Sequence, residues 1–153
     1  MPSGEVFRKL VETAMENKAS DLHLSAGLPP ILRIFGTIRP IEGYETFMPA
    51  KIEEVVRSIM TESQFERVER EGEVDFSYGL KGTGRFRCNV SKQRGSLTLA
   101  MRVISSTVKP LEELGLPEIL YDLAHLRDGL VLVTGPTGSG KSTTLASMID
   151  IIN

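Results

Sequence analysis

The sequence contains no tryptophan and very little cysteine: Cys88 is the single thiol among 153 residues. One cysteine can form neither an internal disulfide nor a cysteine-based metal cluster, so both are excluded. The sequence also lacks an apolar run of membrane-spanning length. Charged residues are spread through its first twenty positions, which leaves no apolar core for a secretory signal. These absences predict a cytoplasmic protein.

A further absence is local. Residues 76–111 contain no acidic residue and seven basic ones, whereas residues 42–75 contain ten acidic and four basic ones. One interpretation of the basic segment is an ordinary solvated sheet face. The other, favoured by the motif described next, is a surface directed at phosphate. Aromatic residues are too few here for a stacking platform, so we expect no nucleic-acid partner.

A phosphate-binding motif stands near the end of the sequence. Gly135, Gly140, Lys141 and Ser142 have the spacing G-x-x-x-x-G-K-[ST] of a P-loop, or Walker A motif. The glycines let backbone N–H groups close around a polyphosphate, Lys141 can reach the β- and γ-phosphates, and the Ser142 hydroxyl can hold Mg²⁺. The predicted nucleotide contacts are Gly135, Pro136, Thr137, Gly138, Ser139, Gly140, Lys141, Ser142 and Thr143. The motif predicts a site for ATP and Mg²⁺; the alternative is a glycine-rich turn that binds nothing.

The residues around the motif predict the strand and helix between which a P-loop lies. Residues 130–133 form a continuous apolar run, typical of a strand buried on both faces. Apolar residues then recur at helical spacing in a helix expected from Thr143 onward: Leu145, Met148, Ile149 and Ile152. The chain offers this strand no parallel neighbour, and no acidic metal ligand follows the motif. We therefore expect the front part of a longer enzyme, with a C-terminal piece that is not stable by itself.

The sequence before the motif predicts an α+β domain over residues 1–104. Helices are predicted from apolar stripes over 6–15, 49–60 and 63–71. Strands are predicted from alternation over 19–24, 31–35 and 37–41 and three times between 74 and 103. We expect the helices to cover one side of a mainly antiparallel sheet. Residues 105–116 are predicted to be a linker and residues 117–153 the beginning of an α/β domain that contains the P-loop.

Two arginines of the basic segment are candidate site residues. Alternation places Arg87 on the face opposite Phe86, and it places Arg102 off the face shared by Leu99 and Met101. Both should point away from the apolar side of the sheet. Because their segment contains no carboxylate, we expect an external anion as their partner.

Four stretches of the sequence together resemble the secretion ATPases of the type II/type IV pilus superfamily, above all those of type IV pilus retraction (twitching motility). They are Ala19-Ser-Asp-Leu-His-Leu24, Leu28-Pro-Pro-Ile-Leu-Arg33, Arg85-Phe-Arg-Cys-Asn89 and the P-loop with its flanks, residues 130–145. The P-loop alone is common to many NTPases. Its combination with the Ser-Asp-Leu-His-Leu segment is specific.

The resemblance implies a PAS-like N-terminal domain, a truncated RecA-like ATPase domain and a homo-hexameric ring. It implies that Arg87 and Arg102 sense the nucleotide phosphates, which makes them, with Lys141, the expected catalytic residues. The implied partners are pilus platform proteins of the inner membrane, with the motor peripheral to that membrane on its cytoplasmic face. The family's Walker B segment and catalytic glutamate would lie beyond Asn153, so we do not expect this chain alone to hydrolyse ATP.

Two other functions remain open at this point. Another P-loop machine would share the motif, although the preceding α+β domain argues against a helicase or a transporter ATPase. Alternatively, the chain is a non-catalytic PAS-like assembly module that binds no Mg-ATP. His23 is interpreted as a structural hydrogen-bonding residue of its strand rather than a ligand.

Overall fold

The computed structural model of the protein describes residues 3–104, 108–136 and 139–153. The chain divides into two units, Met1–Ile104 and Ser105–Asn153. The first unit contains, in chain order, α1 (Ser3–Glu16), β1 (Asp21–Leu24), β2 (Ile31–Ile34), β3 (Thr37–Pro40), α2 (Pro49–Ile59), α3 (Glu62–Glu71), β4 (Glu73–Leu80), β5 (Gly84–Gln93) and β6 (Ser96–Ile104). The second contains α4 (Ile119–Ala124) and α5 (Lys141–Ile152).

The strands of the first unit form one sheet in the order β3-β2-β1-β6-β5-β4. Each neighbouring pair is antiparallel, which confirms the predicted α+β architecture. Register places Met101 of β6 opposite Leu22 on one side and opposite Cys88 on the other. All three are buried, so the alternation in the sequence becomes a continuous apolar layer on one face.

Helices of the first unit bury their apolar stripes in the core to which this layer belongs. In α1 the buried side chains include Phe7 and Leu10, and in α2 they include Ile52 and Val55. Burial of a side chain of this size contributes about 1.5–3 kcal/mol. The ring of Phe7 also meets that of Tyr78 edge to face, with the ring centroids 5.3 Å apart. This one-sided core leaves the polar residues of the strands on the other face of the sheet.

Local signals decide where α3 begins and ends. The Thr61 hydroxyl accepts a hydrogen bond from the Gln64 N–H at 3.3 Å, and the Gln64 side chain accepts one from the Thr61 N–H at 2.8 Å. This reciprocal capping box satisfies two N–H groups that the helix itself cannot pair. It also starts the helix at Glu62, one residue before the predicted start. Gly72 ends the helix in the left-handed conformation, with φ at 89°.

The second unit has a small core. Leu111, Ala124 and Met148 are buried together, and the Ser147 hydroxyl donates to the Lys109 carbonyl oxygen. Leu111 falls within the range predicted as a linker, yet it belongs to this core. Among the residues that the structure describes, none of the helices has the length and apolar character needed to cross a bilayer.

The strand predicted from residue 130 does not form. Residues 130–134 have no regular secondary structure, and Leu130 and Leu132 are 82% and 74% exposed. A strand is held by hydrogen bonds to a neighbouring strand, and the described part of the second unit contains no strand that could pair with this run. Apolar, β-branched composition predicted a strand here, and the missing partner is the reason that prediction is wrong for this chain.

Candidate functional site

The first candidate site is the P-loop together with the start of α5. The helix begins at Lys141, two residues before the predicted start, and Gly140 precedes it in the left-handed conformation with φ at 91°. The Thr144 N–H donates to the Gly140 carbonyl oxygen at 2.9 Å, which closes the first helical turn directly after the loop. Two of the predicted nucleotide contacts, Thr137 and Gly138, lie outside the described residues.

Gly135 stands where the loop requires a residue without a side chain. Its φ is 154°, a value that favours glycine. A Cβ atom built there would lie 2.7 Å from Oγ of Ser139, far inside contact distance. The backbone conformation and this close approach to Ser139 both favour glycine at this position. Glycine at such a position lets backbone N–H groups approach a polyphosphate.

Lys141 lies folded against the same loop. Its Nζ atom donates to the carbonyl oxygens of Gly135 and Pro136, both at 2.7 Å. Hydrogen bonds from an ammonium to an ionised oxygen are stronger than those to a neutral carbonyl. A phosphate entering the loop could thus take over these donors.

Ser142 and Thr143 occupy the first turn of α5, and both are exposed. The N-terminal end of a helix carries a partial positive charge and favours an anion. The Ser142 hydroxyl offers the hard oxygen ligand that Mg²⁺ prefers. The described residues of the loop and of this turn therefore fit a magnesium nucleotide.

The second candidate site is the polar face of the sheet in the first unit. Strand register places Arg33 opposite Asp21, Asp21 opposite Arg102, and Arg102 opposite Arg87. We refer to these four residues, which cross β2, β1, β6 and β5, as the charged row. The side chains of Arg87 and Arg102 are 68% and 71% exposed, as alternation predicts. Like charges directly opposite each other on a sheet repel, so this end of the row favours an anion.

Both candidate arginines have a carboxylate neighbour, which corrects the premise that they have no carboxylate to pair with; the external anion stays a prediction. The Arg102 Nε atom donates to Oδ1 of Asp21 at 2.9 Å. The Arg87 Nε atom lies 3.6 Å from Oδ1 of Asp75. Asp21 in β1 and Asp75 in β4 lie outside the acid-free segment, and strand pairing brings them to it. The two contacts differ in strength, because Arg87 and Asp75 are both exposed to solvent whereas Asp21 is buried.

Asp21 is the centre of the charged row and is only 6% exposed. Its Oδ2 atom accepts a hydrogen bond from the Ser20 hydroxyl at 2.8 Å and lies 3.4 Å from Nε of Arg33. Burial by itself would raise the pKa of the Asp21 carboxyl. The hydrogen bonds from Arg102 and Ser20 and the charge of Arg102 outweigh burial and hold that pKa below its ordinary 3.8. Asp21 is therefore a carboxylate at neutral pH.

A cavity of about 210 Å³ opens beside the charged row. Its floor is Ala100, which lies between His23 of β1 and Asn89 of β5 in the sheet register. Arg87 and Arg102 also line the cavity. The cavity thus belongs to the same polar face as the two arginines.

His23 also lines this cavity, and its hydrogen bonding differs from the prediction. Its Nε2 atom is buried and has no hydrogen-bond partner among the described residues. The structural hydrogen bond expected of His23 is therefore not made through that atom. Burial lowers the pKa of His23 below 6.5; the charges of Arg33 and Arg102 act in the same direction, and that of Asp21 opposes them. The ring is neutral at pH 7.

Reasoning from sequence did not identify Asp21 as a functional residue, although it lies in one of the stretches that carry the resemblance. The available signal was a single acid beside Leu22, on the strand face that alternation assigns to polar residues. What the sequence does not reveal is that this acid lies opposite Arg102, which is 81 positions away.

Comparison with known proteins gives three concordant results. The family model described as Type II/IV secretion system protein matches residues 2–153. The type IV pilus retractation ATPase PilT of Pseudomonas aeruginosa is 42% identical over 145 residues, which cover 95% of this chain and 42% of that protein. The type IV pilus ATPase PilU of the same organism is 38% identical over 147 residues, covering 96% of this chain and 38% of that protein.

Solved structures agree with the curated relatives. The crystal structure of the pilus retraction motor PilT with bound ADP superimposes with a TM-score of 0.86 at 46% identity, over 94% of this chain and 42% of that one. The ATPase DotB of Yersinia pseudotuberculosis gives a TM-score of 0.78 at 25% identity, over 99% of this chain and 44% of that one. The chain thus spans about two fifths of the length of these relatives. The resemblance to the pilus retraction ATPases is confirmed.

Proposed function

This chain belongs to the type II/IV secretion system protein family, and we propose that it is the N-terminal part of an ATP-hydrolysing motor that powers type IV pilus retraction. The observation that carries the proposal is the position of Lys141, whose ammonium lies 2.7 Å from the carbonyl oxygens of Gly135 and Pro136. The charge of the lysine is thereby already held against the loop that would surround the phosphates. The identity of 42% to a pilus retractation ATPase favours this particular motor.

In this proposal the nucleotide is ATP, bound through the loop and the first turn of α5. The proposed phosphate contacts are the residues from Gly135 to Gly140, Thr137 and Gly138 included, and Lys141 would neutralise the phosphates. Ser142 holds Mg²⁺, which would neutralise charge on the transferred phosphoryl group. The bound ADP in the crystal structure of PilT supports nucleotide binding by this chain.

The proposed role of Arg87 and Arg102 is to sense the phosphates and to stabilise charge that develops during hydrolysis. Their direct opposition in the sheet supports the role, because a phosphate is a ligand that relieves the repulsion between them. Hydrolysis would also require the catalytic glutamate of the Walker B segment. We propose that this residue belongs to the part of the motor that follows Asn153.

We also propose the architecture in which these groups act. Residues 1–104 form a PAS-like domain, residues 105–116 a linker, and residues 117–153 the beginning of a RecA-like domain. The motor is a homo-hexamer that acts on pilus platform proteins, peripheral to the cytoplasmic face of the inner membrane, without a nucleic-acid partner. The TM-score of 0.86 with PilT supports a fold shared with that motor over this part of its chain.

Two alternatives lead to different observations. A secretion or assembly ATPase of the DotB kind has the same fold, but its identity of 25% is well below the 46% of PilT. A non-catalytic assembly module would bind no Mg-ATP. Titration of the 153-residue chain with Mg-ATP separates that module from a nucleotide-binding protein.

The decisive experiment uses Lys141→Ala in the full-length protein. A hydrogen bond to a charged group contributes about 1.5–3 kcal/mol, so Mg-ATP affinity measured by calorimetry should fall about 10- to 100-fold. Lys51→Ala, which removes a partly exposed lysine of α2 in the first unit, is the matched control and should bind as the unaltered protein does. Unchanged affinity in Lys141→Ala would require the P-loop assignment to be withdrawn.

The arginines are tested by turnover rather than by binding. Arginines in this role accelerate hydrolysis about 10³- to 10⁵-fold in well-studied NTPases, and we expect the lower end because two share the task. Arg87→Ala and Arg102→Ala should slow hydrolysis at saturating ATP and leave ring assembly intact. Near-normal turnover in both variants and in the double variant would exclude a role in catalysis.

A further inference from the structure

We infer that Asp21 is a positioning residue of this ATPase: it fixes the guanidinium of Arg102 in the orientation in which Arg102 meets the phosphate. The inference rests on the proposed function, since it requires that Arg102 act on the nucleotide. It assigns to the acidic residue of the Ala-Ser-Asp-Leu-His-Leu segment a task in turnover rather than in folding alone.

The first support is the way in which Asp21 is itself held. Its Oδ1 atom accepts from Arg102 at 2.9 Å, while Oδ2 accepts from the Ser20 hydroxyl at 2.8 Å and lies 3.4 Å from Nε of Arg33. Both oxygens are thus engaged, in a side chain that is 6% exposed. A buried carboxylate bonded through both oxygens has few other orientations available. The Asp21 carboxylate can therefore restrict the orientation of the Arg102 side chain that binds it.

The second support is the atom through which Arg102 is bound. The bond to Asp21 uses Nε, whereas bidentate recognition of phosphate can use the edge formed by the terminal guanidinium nitrogens. The Arg102 side chain is 71% exposed, so the group is anchored at its base while most of it faces solvent. A flexible arginine loses conformational freedom when it binds; an anchored one has already lost part of it.

The third support is the contrast between the two arginines. Arg87 lies opposite Arg102 in the register, but its carboxylate neighbour Asp75 is 3.6 Å away and 56% exposed. An exposed pair of this length restrains little. Arg87 and Arg102 are like charges opposite each other on the sheet, and Asp21 gives Arg102 the shorter and more buried carboxylate contact of the two. Asp21 thus sets the geometry of the pair.

The test is Asp21→Asn in the full-length protein, because asparagine keeps the size and removes the charge. A displacement of about 1 Å in a catalytic group can cost about 10²-fold in rate, so kcat should fall about 10- to 100-fold. The KM for ATP and the affinity for Mg-ATP should change little, because Lys141 and the loop are untouched. A residue that only stabilised the fold would lower the thermal midpoint and the yield of assembled rings without slowing each assembled ring.

A double-mutant cycle shows whether Asp21 acts through Arg102. If it does, Asp21→Asn combined with Arg102→Ala should be no slower than Arg102→Ala alone. Glu53→Gln is the matched control, since it removes a carboxylate that binds an arginine Nε at the same 2.9 Å, but on the exposed face of α2. Its turnover should equal that of the unaltered protein.

The outcomes separate this inference from the function on which it rests. Normal turnover in Arg102→Ala would overturn the role of Arg102 and the inference with it, while the P-loop assignment and the role of Arg87 would stand. A slow Arg102→Ala together with a normal Asp21→Asn would overturn the inference alone, and so would effects that multiply in the double variant. If Asp21→Asn does not fold, Ser20→Ala loosens the same carboxylate by one hydrogen bond and keeps its charge. It should lower kcat at constant KM, and unchanged kcat would overturn the inference.

Discussion

The two units of the chain bury very different amounts of apolar side chain. In Met1–Ile104, helices and one face of a sheet enclose residues such as Phe7 and Leu22. In Ser105–Asn153, the buried core among the described residues is confined to a few side chains around Met148, and Leu132 is exposed. The comparison shows that apolar sequence forms a core only where the chain supplies a partner surface.

The two candidate sites also differ in how far along the chain their positioning contacts reach. Arg102 is positioned by strand register and by Asp21, a contact between residues 81 positions apart. Lys141 is positioned by carbonyls five and six positions away in its own loop. The first geometry depends on the folding of a whole sheet. The second depends on a turn and the helix that follows it.

The largest difference that we expect is in hydrogen exchange. Residues 99–101 lie in β6, which is paired on both sides, so their amides should open only with the unit as a whole. Amides of residues 130–133 have no strand to protect them. For a unit of ordinary stability the rates should differ by about three orders of magnitude or more. Slow exchange at 130–133 in a proven monomer would show that this run is paired after all.

The architecture of the first unit can be predicted from sequence because its signals are local. Alternation predicts the strands, apolar stripes predict the helices, and Gly72 predicts the end of α3. The strand order cannot be predicted in that way. The neighbour of β1 on one side is β6, and nothing within either strand specifies the other.

In the candidate sites, too, local features could be predicted from sequence and contacts made by strand pairing could not. Spacing alone predicts the loop residues around Lys141, and alternation predicts that Arg87 and Arg102 point away from the core. The carboxylates Asp21 and Asp75 escape prediction because strand pairing brings them to the arginines. An absence of acids along a segment of sequence does not imply their absence around it in space.

The next largest effect concerns the two cores. Leu22→Ala removes a fully buried side chain from β1 and should lower the free energy of unfolding by about 2–5 kcal/mol. Leu132→Ala removes a side chain of the same kind that is largely exposed, and it should change that free energy by no more than about 0.5 kcal/mol. Urea denaturation followed by circular dichroism measures both. A similar decrease in the free energy of unfolding in the two variants would mean that Leu132 is as important to a core as Leu22 is.

A smaller effect is expected at the start of α3. Thr61→Ala removes the hydroxyl that accepts from the Gln64 N–H and should cost about 1 kcal/mol of unfolding free energy. By contrast, the N-cap of α5 is Gly140, which makes no side-chain hydrogen bond. Ser63→Ala, an exposed position in the same helical turn as the cap, is the control and should be nearly neutral. Equal effects of the two substitutions would show that the capping box contributes nothing.

The smallest effect is a pH dependence confined to the first unit, and it originates in His23. Burial lowers the pKa of His23 below 6.5 in the folded state, so the unfolded chain binds the proton more readily than the folded one. Stability should therefore be fully present above pH 6.5 and be lost as the pH falls below it towards the folded pKa. The Asp21 carboxylate adds nothing in this window, because its own loss of stability occurs below its ordinary pKa of 3.8.

Thermal unfolding of the chain between pH 7 and pH 5 measures this dependence. His23→Gln should flatten it, because glutamine cannot take up a proton in this pH range. His125→Gln is the matched control, since His125 is exposed on the second unit, and the slope should persist in that variant. If the slope persisted in His23→Gln and disappeared in His125→Gln, the group responsible for the pH dependence would lie in the second unit. The prediction made for His23 would then be wrong.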